Sequence, residues 1–268
     1  MGHGTPEAQP AIVSPPAGIG PPPRLDDATF FDRAVGVRIY PGRGEAVVFQ
    51  PTGHRREAEH IPGVAHAPER AAREAARRAR TMVRRLVGEY RLGRLFTLTI
   101  ARQTTGDDRA VVVAMVAAFA RRLKRDLPSW KWVMVPEWHP RGHGWHVHIA
   151  SSHYVPKARL AELWGHGFVD ARLIRPKGAR TRRDAARTVA TYLAKYIAKD
   201  VEEAPREPGQ HRYYRPQGMP ITVVEAECMG SEVAAVVAAA IGPVRWWWAS
   251  WLDESSEVPV RVMVYRSG

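Results

Sequence analysis

A short apolar segment, residues 145–150, carries two histidines whose spacing suits metal chemistry. Adjacent residues of a strand point to opposite faces, so His146 and His148 would project from the same face. Two imidazoles held together on a rigid strand are a good start to a metal site. The pattern also fits two ordinary half-buried strand histidines, and both interpretations stay open at this point.

A third metal ligand is predicted on the segment that precedes these histidines. Residues 138–144 are rich in Pro and Gly and indicate a turn. With the turn centred near residues 141–142, antiparallel pairing places Glu137 opposite His146, and such partners share a face with Cβ atoms about 5 Å apart. Glu137, His146 and His148 are therefore the predicted ligands. One carboxylate and two imidazoles suit Mg²⁺ or Mn²⁺ with open coordination positions, and Zn²⁺ or Co²⁺ could bind in vitro.

Two tyrosines four residues apart supply a candidate nucleophile. Tyr192 and Tyr196 fall on a predicted helix over residues 184–200, where such neighbours lie one turn apart. They border the apolar stripe of this helix on the side that carries Lys195. A phenol titrates at about pH 10, so attack at neutral pH needs nearby cations or a metal-polarised phosphate. The alternative is that both rings pack at the edge of the core with their hydroxyls in water.

The elements that must position these side chains follow from hydrophobic periodicity. Alternating apolar residues predict strands, whereas apolar residues at helical spacing, bounded by caps and prolines, predict helices. The central order is strand, helix, strand, strand, helix, strand, helix, which indicates an α+β fold: an antiparallel sheet with helices packed on it. The predicted strands cover residues 95–100, 130–137, 145–152 and 168–174, and the predicted helices cover 68–91, 107–127, 156–164 and 184–200.

The flanking regions are less regular, and the sequence predicts a division into four parts. Residues 1–27 form a Pro- and Gly-rich leader that is expected to be disordered. Residues 28–93 form an N-terminal extension with a short hairpin and an arginine-rich helix, and 94–204 form the core that carries the candidate residues. Residues 205–268 are expected to pack on that core with one apolar helix, a tryptophan cluster and a final strand.

The composition points to a polyanionic partner. The formal net charge is +13, and 34 of the 40 basic residues are arginines, whose planar guanidinium binds phosphate in a bidentate manner. Nucleic acid is the expected partner, with an anionic membrane surface as the main alternative. No apolar run reaches the roughly 18 residues of a membrane span. The single cysteine, Cys228, excludes an internal disulfide framework and a zinc ribbon, and it fits a cytoplasmic protein.

Together these motifs resemble the HUH endonuclease superfamily, specifically the initiators of rolling-circle replication in plasmids and small phages. The two-tyrosine helix is similar to that of phage-type initiators, in which two tyrosines alternate in cleavage. Some plasmid relatives have glutamate where Tyr192 stands and a nucleophile that matches Tyr196, whereas others have one tyrosine with a lysine three residues on, which matches Tyr192 and Lys195. The resemblance covers about residues 94–200 and rests on the strand 95–100, on Glu137 with His146-Val147-His148, and on Tyr192-Leu193-Ala194-Lys195-Tyr196.

The resemblance implies a ferredoxin-like or RRM-like fold and a metal-dependent nickase of single-stranded origin DNA. The ion, Mg²⁺ or Mn²⁺, would polarise the scissile phosphate, and a tyrosine would attack it to leave a 5′-phosphotyrosine and a free 3′-OH. Lys195 would stabilise the developing charge. A host helicase and polymerase are the expected protein partners, since the sequence has no P-loop. The residues expected to contact DNA are Arg141, Arg182, Arg183 and Lys199.

Two alternatives to a replication initiator stay open from the sequence. A transposase or mobilisation relaxase of the same superfamily would use the same chemistry on a different DNA. A non-catalytic DNA-binding regulator would use the basic surface for phosphates and the motif residues for packing. Metal-dependent covalent capture of DNA separates the enzymes from the regulator.

Overall fold

A computed structural model of the chain divides into two compact units. One unit contains residues 60–222, and the other is formed by residues 1–59 together with 223–268. The predicted leader, residues 1–27, lies outside the residues that the structure describes. The described residues are 34–49, 68–100, 108–139, 144–173, 181–203, 210–252 and 260–267.

Nine strands and five α-helices form the described part of the chain. The strands are β1 (Ala34–Tyr40), β2 (Glu45–Phe49), β3 (Arg94–Ile100), β4 (Trp132–Trp138), β5 (Trp145–Ser151), β6 (Val169–Leu173), β7 (Val224–Met229), β8 (Val244–Leu252) and β9 (Val260–Ser267). The helices are α1 (Pro68–Glu89), α2 (Arg109–Asp126), α3 (Lys157–Trp164), α4 (Arg182–Glu203) and α5 (Val233–Ile241). The predicted α+β class is confirmed, because two antiparallel sheets carry these helices. None of the helices in the described ranges is both long and apolar enough to cross a lipid bilayer.

The unit of residues 60–222 is built on a four-stranded antiparallel sheet with the order β4-β5-β3-β6. One face is apolar over most of its length, because alternate residues of each strand are hydrophobic except for Arg94 and Ser151 at one end. This face, with Phe96 near its centre, packs against α2 and α3. Phe119 of α2 makes edge-to-face contacts with Trp130 and Trp164, at ring-centroid distances of 6.4 and 5.8 Å. These aromatic contacts join the two helices to the sheet.

The opposite face of the same sheet is apolar at one end and polar at the other; we call it the site face. Leu95, Val133 and Ala150 form the apolar end, which α1 and α4 cover. The polar end carries Glu137 and His146 and borders a cavity. This division follows from residue type, because an unpaired carboxylate or imidazole beneath a packed helix would lose its hydration without compensation.

The predicted strands and helices of this unit are confirmed to within three residues at their ends. The largest difference is in α4, which begins at Arg182 and ends at Glu203. A reciprocal capping box explains its start: Thr181 Oγ1 accepts from the Asp184 backbone N–H at 3.1 Å, and Asp184 Oδ2 accepts from the Thr181 backbone N–H at 3.0 Å. The cap fixes where the tyrosine-bearing helix starts.

The second unit combines strands from residues 34–49 and 224–267 in one five-stranded antiparallel sheet with the order β7-β1-β2-β9-β8. β1 and β2 pair as the predicted hairpin, and α5 packs on one face. The sequence pattern does not predict β7 or β8. β7 is a short strand with exposed glutamates, and its ion pair between Glu225 and Arg38 of β1 spans 187 residues. Such non-local pairing leaves no signal in local periodicity. The buried residues of this unit's core are Val35, Val37, Ile39, Ala46, Val48, Val233, Val237 and Ile241.

The backbone at Gly167 passes close to β3 of the four-stranded sheet. Gly167 has a φ of +146°, and a Cβ there would overlap the carbonyl oxygen of Thr99. We expect Gly167→Ala to destabilise this unit by more than about 2 kcal/mol, because two backbone segments must move apart. Gly165→Ala is the matched control: its φ is +68°, and a Cβ there meets no described atom within 4 Å. Its expected cost is about 1 kcal/mol, from the left-handed conformation alone.

Urea denaturation of the two variants measures this difference. Equal losses of stability would contradict the close approach of Gly167 to Thr99.

Candidate metal and tyrosine site

A cavity of about 480 Å³ lies between the polar end of the site face and α4. The strand register explains which side chains reach it. Cross-strand partners share a face, so His148, Thr97 and Asp170 form one row across β5, β3 and β6. Glu137 and His146 belong to the next row. The residues that line the cavity are Leu95, Thr97, Glu137, His139, His146, His148, Asp170, Arg172, Tyr192 and Tyr196.

The predicted register of the β4–β5 hairpin is confirmed, because Glu137 pairs directly with His146. The carboxylate nevertheless bonds to the diagonal neighbour: Glu137 Oε2 lies 2.8 Å from His148 Nε2. Both side chains are buried, at 8% and 4% exposed. A buried carboxylate needs such a donor, since burial without a partner would cost several kcal/mol.

His148 is held on three sides. Its Nε2 faces Glu137, its Nδ1 lies 3.2 Å from Thr97 Oγ1, and its ring stacks on Tyr196 with centroids 3.8 Å apart and an interplanar angle of 18°. In the neutral imidazole this arrangement places the proton on Nε2, which donates to the carboxylate, and leaves Nδ1 to accept from the Thr97 hydroxyl. The sequence placed Thr97 in a strand but did not identify it as a site residue, although its position opposite His148 follows once β3 and β5 are known to pair.

His146 is half-buried and lies between two other imidazoles. Its ring centroid is 6.4 Å from that of His148 and 5.3 Å from that of His139. The sequence interpretation placed His139 in the turn, outside the site. In the structure, it joins the cavity because β4 continues to Trp138, and its backbone N–H bonds to the Gly144 carbonyl at 3.1 Å.

The donor types at this end of the cavity suit a divalent ion. In the described part of the chain, no three His, Cys, Asp or Glu side chains are placed to hold an ion as they stand. Glu137 and His148 instead satisfy each other. Binding by Glu137, His146 and His148 would therefore exchange the Glu137–His148 hydrogen bond for bonds to the ion, with Thr97 left to accept from His148 Nδ1.

Both tyrosines of α4 reach the same cavity as the histidines. Tyr196 is only 9% exposed, and its hydroxyl donates to the Tyr192 hydroxyl over 2.6 Å. Tyr192 is half-buried and meets His148 edge-on, with ring centroids 5.8 Å apart. Val189, Leu193 and Ile197 anchor the helix in the core, as the predicted apolar stripe requires.

The cations near the cavity differ from those that the sequence indicated. Lys195 is exposed on α4 and is not among the described residues that line the cavity. Arg172 of β6 does line it, and its Nε donates to Asp170 Oδ2 at 2.5 Å. Neither Arg172 nor Asp170 is a candidate from the sequence. The local pattern of β6 does not show that it pairs with β3, so it does not place these side chains in the cavity.

The four residues predicted to contact DNA lie in different places. Arg182 is exposed at the first residue of α4, and Arg183 is half-buried beside it; neither lines the cavity. Burial, and next the charge of nearby Arg183, lower the pKa of Arg91. Arg141 lies outside the described residues, as does the side chain of Lys199.

Burial, and next the hydrogen bond with Tyr192, raise the pKa of Tyr196 far above its ordinary value of 10.0. The unfolded chain therefore loses this proton at lower pH than the folded chain does. It follows that the stabilisation from burying the neutral phenol is complete below pH 10 and declines above it.

We expect tyrosinate absorbance of the folded wild type and of Tyr196→Phe to overlay up to about pH 11. In concentrated urea the same two proteins should differ by the signal of one tyrosine, which is the control. Loss of one tyrosinate signal from the folded variant at about pH 10 would contradict the burial of this hydroxyl.

One comparison with known proteins finds a similarity between part of the chain and a family. Residues 93–201 match the family model described as Replication-associated protein ORF2/G2P. The match contains β3 to β6 and most of α4, and so includes Glu137, both strand histidines and both tyrosines. No curated protein and no solved structure matches the chain. The segment that forms the cavity is thus similar to replication-associated proteins of the ORF2/G2P family, and this similarity supports a replication initiator.

Proposed function

We propose that this protein initiates rolling-circle replication by nicking single-stranded origin DNA and joining itself to the cut end. The observation that carries this proposal is the contact between two elements of the matched segment. The tyrosine pair of α4 lies against the histidine strand, with Tyr196 stacked on His148 at 3.8 Å. A nucleophile and potential metal ligands therefore share one cavity that is large enough to admit a phosphodiester.

The proposed nick is a transesterification at one phosphate. The hydroxyl oxygen of a tyrosine forms a bond to phosphorus, the bond from phosphorus to the 3′ oxygen breaks, and the phenolic proton ends on the departing 3′-hydroxyl. The products are a 5′-phosphotyrosine and a free 3′-OH that can prime synthesis. Because the phosphodiester energy is kept in the new ester, the reverse reaction can rejoin strands without a nucleotide cofactor.

The two tyrosines differ in accessibility, which suggests an order of use. Tyr192 is half-buried, whereas Tyr196 is 9% exposed with its hydroxyl directed at Tyr192. We therefore assign the first attack to Tyr192. Tyr196, one helical turn away, would perform the second transfer that ends a replication cycle, after the first tyrosine has been esterified and their mutual hydrogen bond has been lost.

The residues proposed to hold a divalent ion are Glu137, His146 and His148. Mg²⁺ or Mn²⁺ bound there would polarise the scissile phosphate and offset the charge that develops during attack. Thr97 would keep the His148 ring oriented by accepting from Nδ1, the usual role of a group behind a ligating imidazole. The Tyr196 ring, which covers one face of His148, excludes water from that side.

The alternatives share parts of this proposal. A transposase or mobilisation relaxase would use the same cavity on other DNA, but the family match favours replication. A non-catalytic regulator would need no cavity in which tyrosines meet histidines. The origin DNA, a host helicase and a polymerase are the proposed partners, and the cytoplasm is the proposed location.

We expect His146→Ala or His148→Ala to abolish nicking while changing single-stranded DNA affinity by less than about threefold, because phosphate contacts elsewhere supply most of the affinity. Glu137→Ala should weaken metal binding roughly 10-fold or more. A denaturing gel with Mn²⁺ measures nicking, and fluorescence anisotropy measures binding.

His153→Ala is the matched control for the histidine variants. His153 lies beyond the end of β5 and bonds to Ser152, away from the cavity. Full nicking by a His146→Ala/His148→Ala protein in the presence of chelator would overturn the proposed metal site.

We expect each single variant, Tyr192→Phe and Tyr196→Phe, to form some covalent adduct with a single-stranded origin-region oligonucleotide. Tyr192→Phe should reduce the initial rate more, because Tyr192 has the more accessible hydroxyl. The double variant should form no adduct yet fold and bind DNA, since only two hydroxyls are removed. Gel mobility after denaturation measures the adduct.

Tyr154→Phe is the control for these variants, because Tyr154 is 63% exposed and outside the cavity. Adduct formation by the double variant would show that α4 does not carry the nucleophile.

A further inference from the structure

Among the described residues, the arginine or lysine that lines the cavity is Arg172, on the edge strand β6. Arg172 pairs with Leu95 in the β3–β6 register and so lies on the site face, one row from His148. It lines the cavity, and its side chain is 74% exposed to solvent. Lys195, by contrast, is exposed on α4 and outside the cavity lining.

Asp170 contacts the Arg172 guanidinium at one of its three nitrogens. The Asp170 carboxylate accepts from Arg172 Nε at 2.5 Å. Within the described ranges, the two Nη groups of Arg172 donate to no protein acceptor. The remaining N–H groups of the planar guanidinium are thus presented to solvent at the mouth of the cavity, in the fork geometry that matches two phosphate oxygens.

A second arginine of the same unit shows what a purely structural pair looks like. Arg159 of α3 donates from Nε and Nη2 to Asp126, at 2.8 and 2.7 Å, and its Nη1 lies 2.6 Å from a Glu162 oxygen. All three side-chain nitrogens of Arg159 therefore contact protein carboxylates. Arg172 uses only Nε in this way, so its pairing with Asp170 orients the guanidinium without occupying it.

The lining of the cavity agrees with this geometry. Glu137, His146 and His148 line it from β4 and β5, and Arg172 with its partner Asp170 lines it from β6. A phosphate placed between the tyrosines and β6 would therefore have the proposed metal ligands on one side and the Arg172 guanidinium on the other.

We propose that Arg172, oriented by Asp170, binds the non-bridging oxygens of the phosphate that the tyrosines attack. The role that the sequence assigned to Lys195 thus falls to an edge-strand arginine. This inference rests on the proposed function, because the phosphate is taken to be that of the scissile phosphodiester. Arg172 would donate two hydrogen bonds through its Nη groups and stabilise the charge that grows on phosphorus-bound oxygens during attack.

The first test compares Arg172→Ala, Arg172→Lys and the control Arg159→Ala in adduct formation on a single-stranded origin-region oligonucleotide. We expect Arg172→Ala to slow the initial rate about 100-fold or more, as loss of a donor to a developing oxyanion does. Arg172→Lys keeps the charge but not the fork, so it should recover only part of the rate. Arg159→Ala should retain the wild-type rate. Wild-type rates in Arg172→Ala would overturn the proposal.

A second measurement separates phosphate binding from a structural effect. With the natural oligonucleotide, Arg172→Ala should raise the dissociation constant about 10-fold relative to wild type. With a neutral methylphosphonate at the nicked position, wild type and Arg172→Ala should bind equally. A loss of affinity that is the same for both oligonucleotides would place Arg172 away from this phosphate and overturn the proposal.

A third measurement does not need nicking. Inorganic phosphate is titrated into ¹⁵N-labelled wild type while the arginine Nε–Hε resonances are followed, with Arg172→Lys and Arg159→Lys identifying two of them. We expect the Arg172 resonance to shift and that of Arg159 to stay. Equal behaviour of the two would overturn the phosphate site. If the wild type forms no adduct, the proposed function fails, whereas this titration still decides for or against Arg172.

Discussion

The Glu137 side chain is 8% exposed at the boundary between the packed core and the cavity, and its carboxylate accepts a hydrogen bond from His148 Nε2 over 2.8 Å. At this depth an unpaired carboxylate would cost several kcal/mol, so the imidazole is held in one orientation. The same ring stacks on Tyr196 of α4. One buried contact therefore fixes the β4–β5 hairpin, the histidine strand and the tyrosine helix relative to each other.

The two faces of the four-stranded sheet differ: one is packed core, and the other also borders the cavity. One face is apolar over most of its length and carries α2 and α3, so it supplies a core that does not involve the site. The site face is apolar only where α1 and α4 cover it. Leu193 and Ile197 anchor α4 in that apolar half, which leaves Tyr192 and Tyr196 level with His148 at the start of the polar half.

The cavity is also asymmetric in charge. Glu137 and the imidazoles lie on the β4–β5 side, whereas the guanidinium of Arg172 lies on the β6 side beside the carboxylate of Asp170. In the proposed complex, a metal ion on one side and Arg172 on the other would neutralise the charge of the phosphate without competing for the same oxygens. Because β6 is an edge strand, Arg172 can be 74% exposed and still line the cavity. The edge position agrees with the proposed access of a DNA strand from outside.

Local pattern was enough to determine the strands and helices of the unit of residues 60–222, the hairpin register that pairs Glu137 with His146, and the helical spacing of the tyrosines. Each depends on residues close in the chain, where periodicity and turn length set the geometry. Only the tertiary structure decided that β6 joins β3 and that β7 pairs with β1, because strand order depends on the packing of distant segments. For that reason Thr97, Asp170 and Arg172 entered the site only with the fold, and burial alone distinguished Tyr196 from Tyr192.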